Sequence, residues 1–314
     1  MDMRVVGATE YGGPEALRVV EVPERHAGPG EVRVRVRAAA VNPTDTYVAS
    51  GDRKKAQQEQ EPPYVPGMDV AGVLDEIGEG TSTDLAVGEH VMAIVVPSGS
   101  HGGYAESLVL PAGSVVRVPA GADDVAASTL PMNGLTARRA LDLLALRPGQ
   151  VLAVTGAAGA FGGYVIQLAK AEGLRVIADA APKDEELVRE LGADVVVPRG
   201  DDVAERIREV EPDGVDAVAD GAVQNELVLP AVRDGGAVAT VRFWRGEAER
   251  GIALHPVLVV DYAEERELLD RLRAQVEDGT LTLRVARTFP AEQAAEAHRT
   301  LAAGGTRGRL VLEF

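Results

Sequence analysis

Between residues 151 and 162 the chain reads Val-Leu-Ala-Val-Thr and then Gly156-Ala157-Ala158-Gly159-Ala160-Phe161-Gly162, with a glycine at every third position of the second stretch. Small side chains let a backbone approach an anion closely. A helix starting there presents unpaired N–H groups and the positive end of its dipole to a phosphate. The five preceding residues are almost wholly apolar, as in a strand buried on both faces. A helix from about 161 to 172 and a second apolar strand at 175–178 follow. Strand, small-residue turn, helix and strand together form the arrangement that holds a dinucleotide pyrophosphate. The pattern is not Gly-x-Gly-x-x-Gly, because Ala158 stands where the middle glycine falls. Close packing of helix on strand also accounts for small residues, for Gly162 in particular.

The end of the second strand sets the choice of cofactor. A carboxylate there bonds a ribose 2′-hydroxyl, and a cation holds a 2′-phosphate. The run Asp179-Ala180-Ala181-Pro182-Lys183 offers both, and Arg199 after the next apolar run adds a second cation. NADPH is the expected cofactor, with NADH still open. Arg307 and Arg309 near the C-terminus either face phosphate or are solvated charge. His101 is a candidate acid or a surface histidine. His26, His90, His255 and His298 have no metal-like spacing and read as structural. Trp244, beside Phe243, either covers a ligand or packs in the core.

These groups must be positioned by two kinds of structure. Residues 1–125 read as mostly strand, and Glu31-Val32-Arg33-Val34-Arg35-Val36-Arg37 alternates strictly, placing the valines on one face. Short apolar strands at 69–77 and 88–96, with frequent Pro and Gly, indicate an antiparallel or barrel-like domain. From about 126 to 262 short apolar runs at 151–155, 175–178, 195–197, 217–220 and 237–241 alternate with helical patterns, the signature of parallel βαβ units. After 262 come an amphipathic helix (263–277), a strand (283–287), a helix (291–302) and a last strand (309–314). The polar stretch 51–61 is an exposed loop or a flap over a cleft.

Bulk composition removes whole classes of function. The 314 residues suffice for two domains, at roughly 150 residues each. A net charge of -17 disfavours a nucleic-acid partner. The chain has no cysteine, so disulfides, thiolate nucleophiles and thiolate zinc sites are all absent. No apolar run approaches the ~18 residues of a membrane span. With no signal-like N-terminus either, a cytoplasmic protein is expected.

The chain resembles, from end to end, the zinc-independent quinone oxidoreductases of the medium-chain dehydrogenase/reductase superfamily. The resemblance is carried by Ala39–Tyr47 (AAVNPTDTY), Val65–Val73 (VPGMDVAGV), Val87–Val91 (VGEHV), Gly102–Glu106 (GGYAE), Gly134–Ala137 (GLTA), the turn 155–162 and the ending 304–312. It implies an α/β protein: a GroES-like partly open β-barrel catalytic domain over 1–125, completed by 263–314, and a Rossmann doubly wound parallel sheet domain over 126–262. It places an active site in a cleft between them, and implies a homodimer through the Rossmann edge strand, here 252–260. By family position Tyr47 is the candidate hydrogen-bond donor, Asn42 lines the nicotinamide site, Asp45 orients its neighbours and Thr136 faces the cofactor. Zinc alcohol dehydrogenases of the superfamily carry Gly-His-Glu where this chain has Gly67-Met68-Asp69, so no metal is expected.

The chemistry implied is hydride delivery from NADPH to a quinone or other conjugated carbonyl, with geometry and charge stabilisation supplied by the protein. The alternatives are an enone or enoyl double-bond reductase tailoring a secondary metabolite, and a catalytically weak cofactor-binding protein of the same fold. Departures from the family pattern at Ala160, Phe161 and Ala181 favour the last of these. Phe161 stands where a smaller residue is usual and is expected to crowd or roof the nicotinamide.

Overall fold

The computed structural model describes residues 2–52, 60–242, 244–247 and 249–314. In chain order its strands and helices begin with β1 (Asp2–Ala8), β2 (Leu17–Pro23), β3 (Glu31–Val41), α1 (Thr46–Ser50), β4 (Asp69–Ile77), β5 (His90–Ile94), β6 (Ser107–Pro111), β7 (Val115–Arg117), α2 (Asp124–Ala127) and α3 (Pro131–Leu144). They continue with β8 (Val151–Thr155), α4 (Ala160–Ala171), β9 (Arg175–Ala180), α5 (Glu185–Glu190), β10 (Val195–Pro198), α6 (Val203–Val210), β11 (Val215–Asp220), β12 (Val232–Thr240) and β13 (Ala253–Pro256). The last are α7 (Arg266–Glu277), β14 (Val285–Pro290), α8 (Ala294–Ala302) and β15 (Arg309–Glu313). Two compact units form, residues 1–132 with 260–278 and 283–314, and residues 133–259 with 279–282.

In the first unit β3 is the organising strand. Val32, Val34 and Val36 are buried while Arg35 and Arg37 face water, as the alternation requires. Each buried valine contributes about 1.5–3 kcal/mol relative to an exposed one. The sheet runs β14-β15-β3-β4-β5-β7, with β6 also paired to β3. All pairings in it are antiparallel except β14 with β15. β15 lies against the end of β3, with Leu310 opposite Val41 and Glu313 opposite Ala38. About 270 residues of sequence therefore separate two neighbouring strands, a pairing that no local pattern specifies.

The second unit is a six-stranded parallel sheet of order β10-β9-β8-β11-β12-β13. Its central strands are largely buried, and their Val, Ala and Ile content suits a sheet covered on both faces. From β8 the chain proceeds outward through β9 to β10. It then returns to the other side of β8 and proceeds through β11 and β12 to β13. The order reverses between β8 and β11, and ligands of such sheets bind at the carboxyl ends of the strands at that point. β13 forms one edge. It is shorter than the 252–260 expected, because Val259–Tyr262 closes into a 3₁₀ turn.

Candidate functional site

The sequence-selected residues fall into two sets, one in each unit. In the second, β8 ends at the switch point and the glycine turn follows. Gly156 has φ +65°, a left-handed conformation that costs an L side chain free energy. A Cβ on Gly162 would lie 2.5 Å from the Gly156 carbonyl oxygen and 2.8 Å from the Ala157 Cα, so only glycine lets the first turn of α4 close over the loop. Gly159 caps α4 without a side-chain bond, and Ala160 and Phe161 are the helix's first residues. Ala158 is buried. The neighbouring strand is tied in by Thr155, whose Oγ1 donates to Asp220 Oδ1 at 2.6 Å, while Asp220 accepts the N–H groups of Gln224 and Asn225.

Phe161 packs towards Gly221, just beyond β11. A Cβ on Gly221 would lie 2.8 Å from Phe161 Cδ1, so the ring occupies space left by a missing side chain. Trp244 packs against the apolar core of its unit and over Gly246. Phe243 lies outside the described residues, as does most of the stretch 51–61.

Asp179 is 5% exposed near the end of β9. Its Oδ1 accepts the Ala157 N–H of the turn at 3.1 Å. Burial pushes its carboxyl above the usual range, against the opposing pull of the Ala157 N–H and the Arg199 charge. Lys183 and Arg199 are both exposed. Thr136 is buried on α3.

The first unit holds the other set, at the corner between β3 and α1. Asp45, almost fully buried, accepts from the Asn42 N–H at 2.7 Å, the Gly67 N–H at 3.1 Å and the Tyr104 hydroxyl at 3.3 Å. Burial raises its carboxyl to about 7. Asp69, fully buried at the start of β4, accepts from Asn42 Nδ2 at 2.7 Å and from the Met132 N–H at 2.5 Å, and burial raises it to about 6. Tyr47, on α1, is half-buried, and its hydroxyl has no partner among the described residues.

Two residues sit differently from expectation. Asn42 is fully buried, its amide held by Asp69 and Arg309, so it is a strut of the corner rather than a side chain open to a nicotinamide. Arg309 neither faces a phosphate nor is solvated. It is 6% exposed and donates to the Val41 carbonyl at 2.5 Å and to Asn42 Oδ1, since β15 lies directly against β3. Near two buried carboxylates a guanidinium is the charge that the site requires.

Tyr104 and His298 were not singled out as functional from sequence. Tyr104 Oη lies 3.0 Å from His298 Nε2, and both side chains are fully buried. Burial lowers the imidazole to about 4, so His298 is neutral at pH 7. One signal was available. His298 follows Ala294 by four residues, which puts it on the apolar face of α8. His101 lies elsewhere in this unit, in a small surface recess with Arg25, Ser100 and Pro23.

Met68 is buried with its Sδ 3.2 Å from Thr44 Oγ1, Asp69 is committed to Asn42, and no group of three potential ligands gathers among the described residues. Among the described residues no helix is long and apolar enough to cross a membrane.

Comparison with known proteins covers nearly the whole chain. The alcohol dehydrogenase GroES-like domain family matches residues 28–120, and the zinc-binding dehydrogenase family matches residues 191–312. A 2-haloacrylate reductase from Burkholderia is 31% identical over 96% of both chains. Quinone oxidoreductase from Rattus norvegicus is 31% identical over 99% of this chain and 97% of its own. The crystal structure of an NAD-dependent alcohol dehydrogenase is 31% identical, covers 99% of this chain and 100% of its own, and superposes with a TM-score of 0.87. A mycobacterial protein solved with NADPH is 27% identical over 99% and 100%, also with a TM-score of 0.87. With the GroES-like sheet, the parallel sheet and the glycine turn in place, the chain belongs to the medium-chain dehydrogenase/reductase superfamily and is an oxidoreductase of its quinone oxidoreductase-like branch.

Proposed function

We propose that this protein is an NADPH-dependent, zinc-free reductase acting on a quinone or another conjugated carbonyl compound. The observation that carries this reading is the turn 156–162, closed so tightly that no Cβ fits at Gly162, at the switch point of a parallel sheet. Asp179 supports NADPH over NADH. Its carboxylate is drawn into the turn's own backbone, while Lys183 and Arg199 stay exposed as partners for a 2′-phosphate.

The turn and the first residues of α4 would hold the pyrophosphate, with Thr136 beside the cofactor. Bound there, the nicotinamide supplies a hydride. Tyr47 donates a hydrogen bond to the substrate oxygen on which charge develops, and Asp45 holds the helix start that carries it. A conjugated acceptor needs no Lewis acid, and the Met68 and Asp69 positions offer none a seat. The likeness to a 2-haloacrylate reductase favours a second reading, in which the hydride goes to the alkene carbon of an activated double bond. The edge strand β13, paired on one side only, supports pairing of two copies through the parallel sheet.

The single tryptophan, Trp244, allows cofactor binding to be followed by fluorescence. NADPH is expected to bind at least about tenfold more tightly than NADH, roughly the worth of one charge-assisted contact. If neither binds below millimolar concentration, the reading fails. Oxidation of NADPH by quinones, enones and unsaturated acids then ranks the substrates. Replacing Tyr47 with Phe is expected to lower kcat by about a hundredfold, the usual worth of one such donor. Unchanged turnover removes Tyr47 from the mechanism.

A further inference from the structure

We propose that His298, on the C-terminal helix α8, is a positioning residue: through Tyr104 and Asp45 it holds the start of α1 and so the orientation of Tyr47. The proposal rests on the reductase reading for what Tyr47 does, but not for the contacts themselves.

Both oxygens of the Asp45 carboxylate accept backbone N–H groups, those of Asn42 and Gly67, so the Tyr104 hydroxyl directs its hydrogen to Oδ2. That leaves the Tyr104 oxygen to accept from His298 Nε2. The assignment fixes the neutral tautomer of His298 with its hydrogen on Nε2. Its Nδ1 then faces no partner, although the ring is fully buried. An orphaned acceptor is a cost that Leu or Met at the same place would not incur. Such a cost points to a use for the other nitrogen.

Tyr104 transmits the constraint because it cannot move. Gly67, at φ +106°, brings its backbone so close that a Cβ there would lie 2.7 Å from Tyr104 Cδ1. On the other side the His298 ring meets Tyr104 edge-on, with centroids 5.8 Å apart. At the receiving end Asp45 is the residue before α1, and its carbonyl accepts the Val48 N–H at 3.1 Å. Tyr47 follows Asp45 by two residues. Every member of the line except Tyr47 is buried, so none of them touches substrate.

Three variants test this. His298→Leu removes the donor, His298→Gln returns an N–H near the place of Nε2, and Tyr104→Phe keeps the ring but cuts the line. The first readout is native-state hydrogen exchange at the amides of residues 47 and 48. It is expected to rise roughly tenfold in His298→Leu and Tyr104→Phe, the mark of a loosened local unit, and to stay near wild type in His298→Gln. The second is turnover. The two disrupting variants are expected to lose roughly ten- to a hundredfold in kcat, as small misplacements do, with NADPH affinity unchanged because the glycine turn belongs to the other unit. In Tyr104→Phe the acid limb of the kcat profile is also expected to move to higher pH. Asp45 loses a hydrogen bond that favours its anion, while the charges of Asp69 and Arg309 still act on it.

Wild-type exchange in both His298→Leu and Tyr104→Phe overturns the proposal, as does an equal loss in His298→Gln. Should His298→Leu fail to fold, Tyr104→Phe alone decides it. An absence of turnover with every acceptor, alongside the expected exchange pattern, overturns the reductase reading and leaves the positioning role standing.

Discussion

The glycine turn after β8 and the corner between β3 and α1 are built by opposite means. The turn is made of backbone: seven consecutive small or helix-starting residues, with Gly162 admitting no Cβ within 2.5 Å of the Gly156 oxygen. The corner is made of side chains brought from five places in the chain, Asn42 and Asp45, Asp69, Tyr104, His298 and Arg309. A backbone site is robust to its surroundings but intolerant of any added atom. A network site tolerates small shape changes but fails when one partner is removed, because the rest are left buried and unpaired.

Arg309→Leu attacks the network at its guanidinium. Val41 and Asn42 lose their donor and two buried carboxylates lose their countercharge, so about 3–5 kcal/mol of stability is expected to go. Urea unfolding measures it, and a loss below about 1 kcal/mol would show that the corner is not held by charge. Gly162→Val attacks the turn. Overpacking costs about 1–3 kcal/mol, and NADPH affinity is expected to fall by at least about tenfold because the helix start must move. Retained affinity would mean that the turn is not the phosphate cradle.

The cation pair separates the units more gently. In Lys183→Ala with Arg199→Ala, NADPH binding is expected to weaken by roughly tenfold while NADH binding stays, as expected for loss of charge-assisted contacts to one phosphate. An equal loss for both cofactors would place these cations elsewhere.

The smallest effect is the response to pH. Asp45 and Asp69 are raised by burial to about 7 and about 6, so the folded state favours their neutral forms. Their contribution to stability is fully present below the unfolded carboxylate range and is lost as pH rises through 6–7. The urea midpoint is therefore expected to increase from pH 8 to pH 6. His298, His101 and His255, all lowered by burial, work in the opposite direction, but mainly below their ordinary value of 6.5. A midpoint that falls from pH 8 to pH 6 would mean that the two carboxylates are ionised without penalty.

Much of the architecture was legible because it is local. Alternation in residues 31–37 identified β3, and its valines are buried as the period demands. The apolar run 151–155 and the glycines after it located β8, the turn and the start of α4 to within one residue. Their determinants lie within a dozen residues of each other, where periodicity and backbone sterics act directly. The side-chain roles were less legible. Arg309 reads as a surface or phosphate-facing charge next to Arg307 and Gly308. Asn42 reads as a ligand-facing amide, and His298 as one of four histidines taken as structural.

What the sequence by itself determined is the α/β class, the alternation of short apolar strands with helices from 151 onward, and the position of a glycine-rich turn after β8. The tertiary structure alone decided which charges are buried. It paired β15 with β3 across most of the chain, closing Arg309 onto Asn42 and bringing α8 with His298 up to Tyr104. The physical reason is distance along the chain. Hydrophobic period and turn geometry are properties of short segments. The protonation and orientation of a buried polar group depend on whatever atoms lie within a few ångströms, and here those atoms come from residues up to 267 positions away.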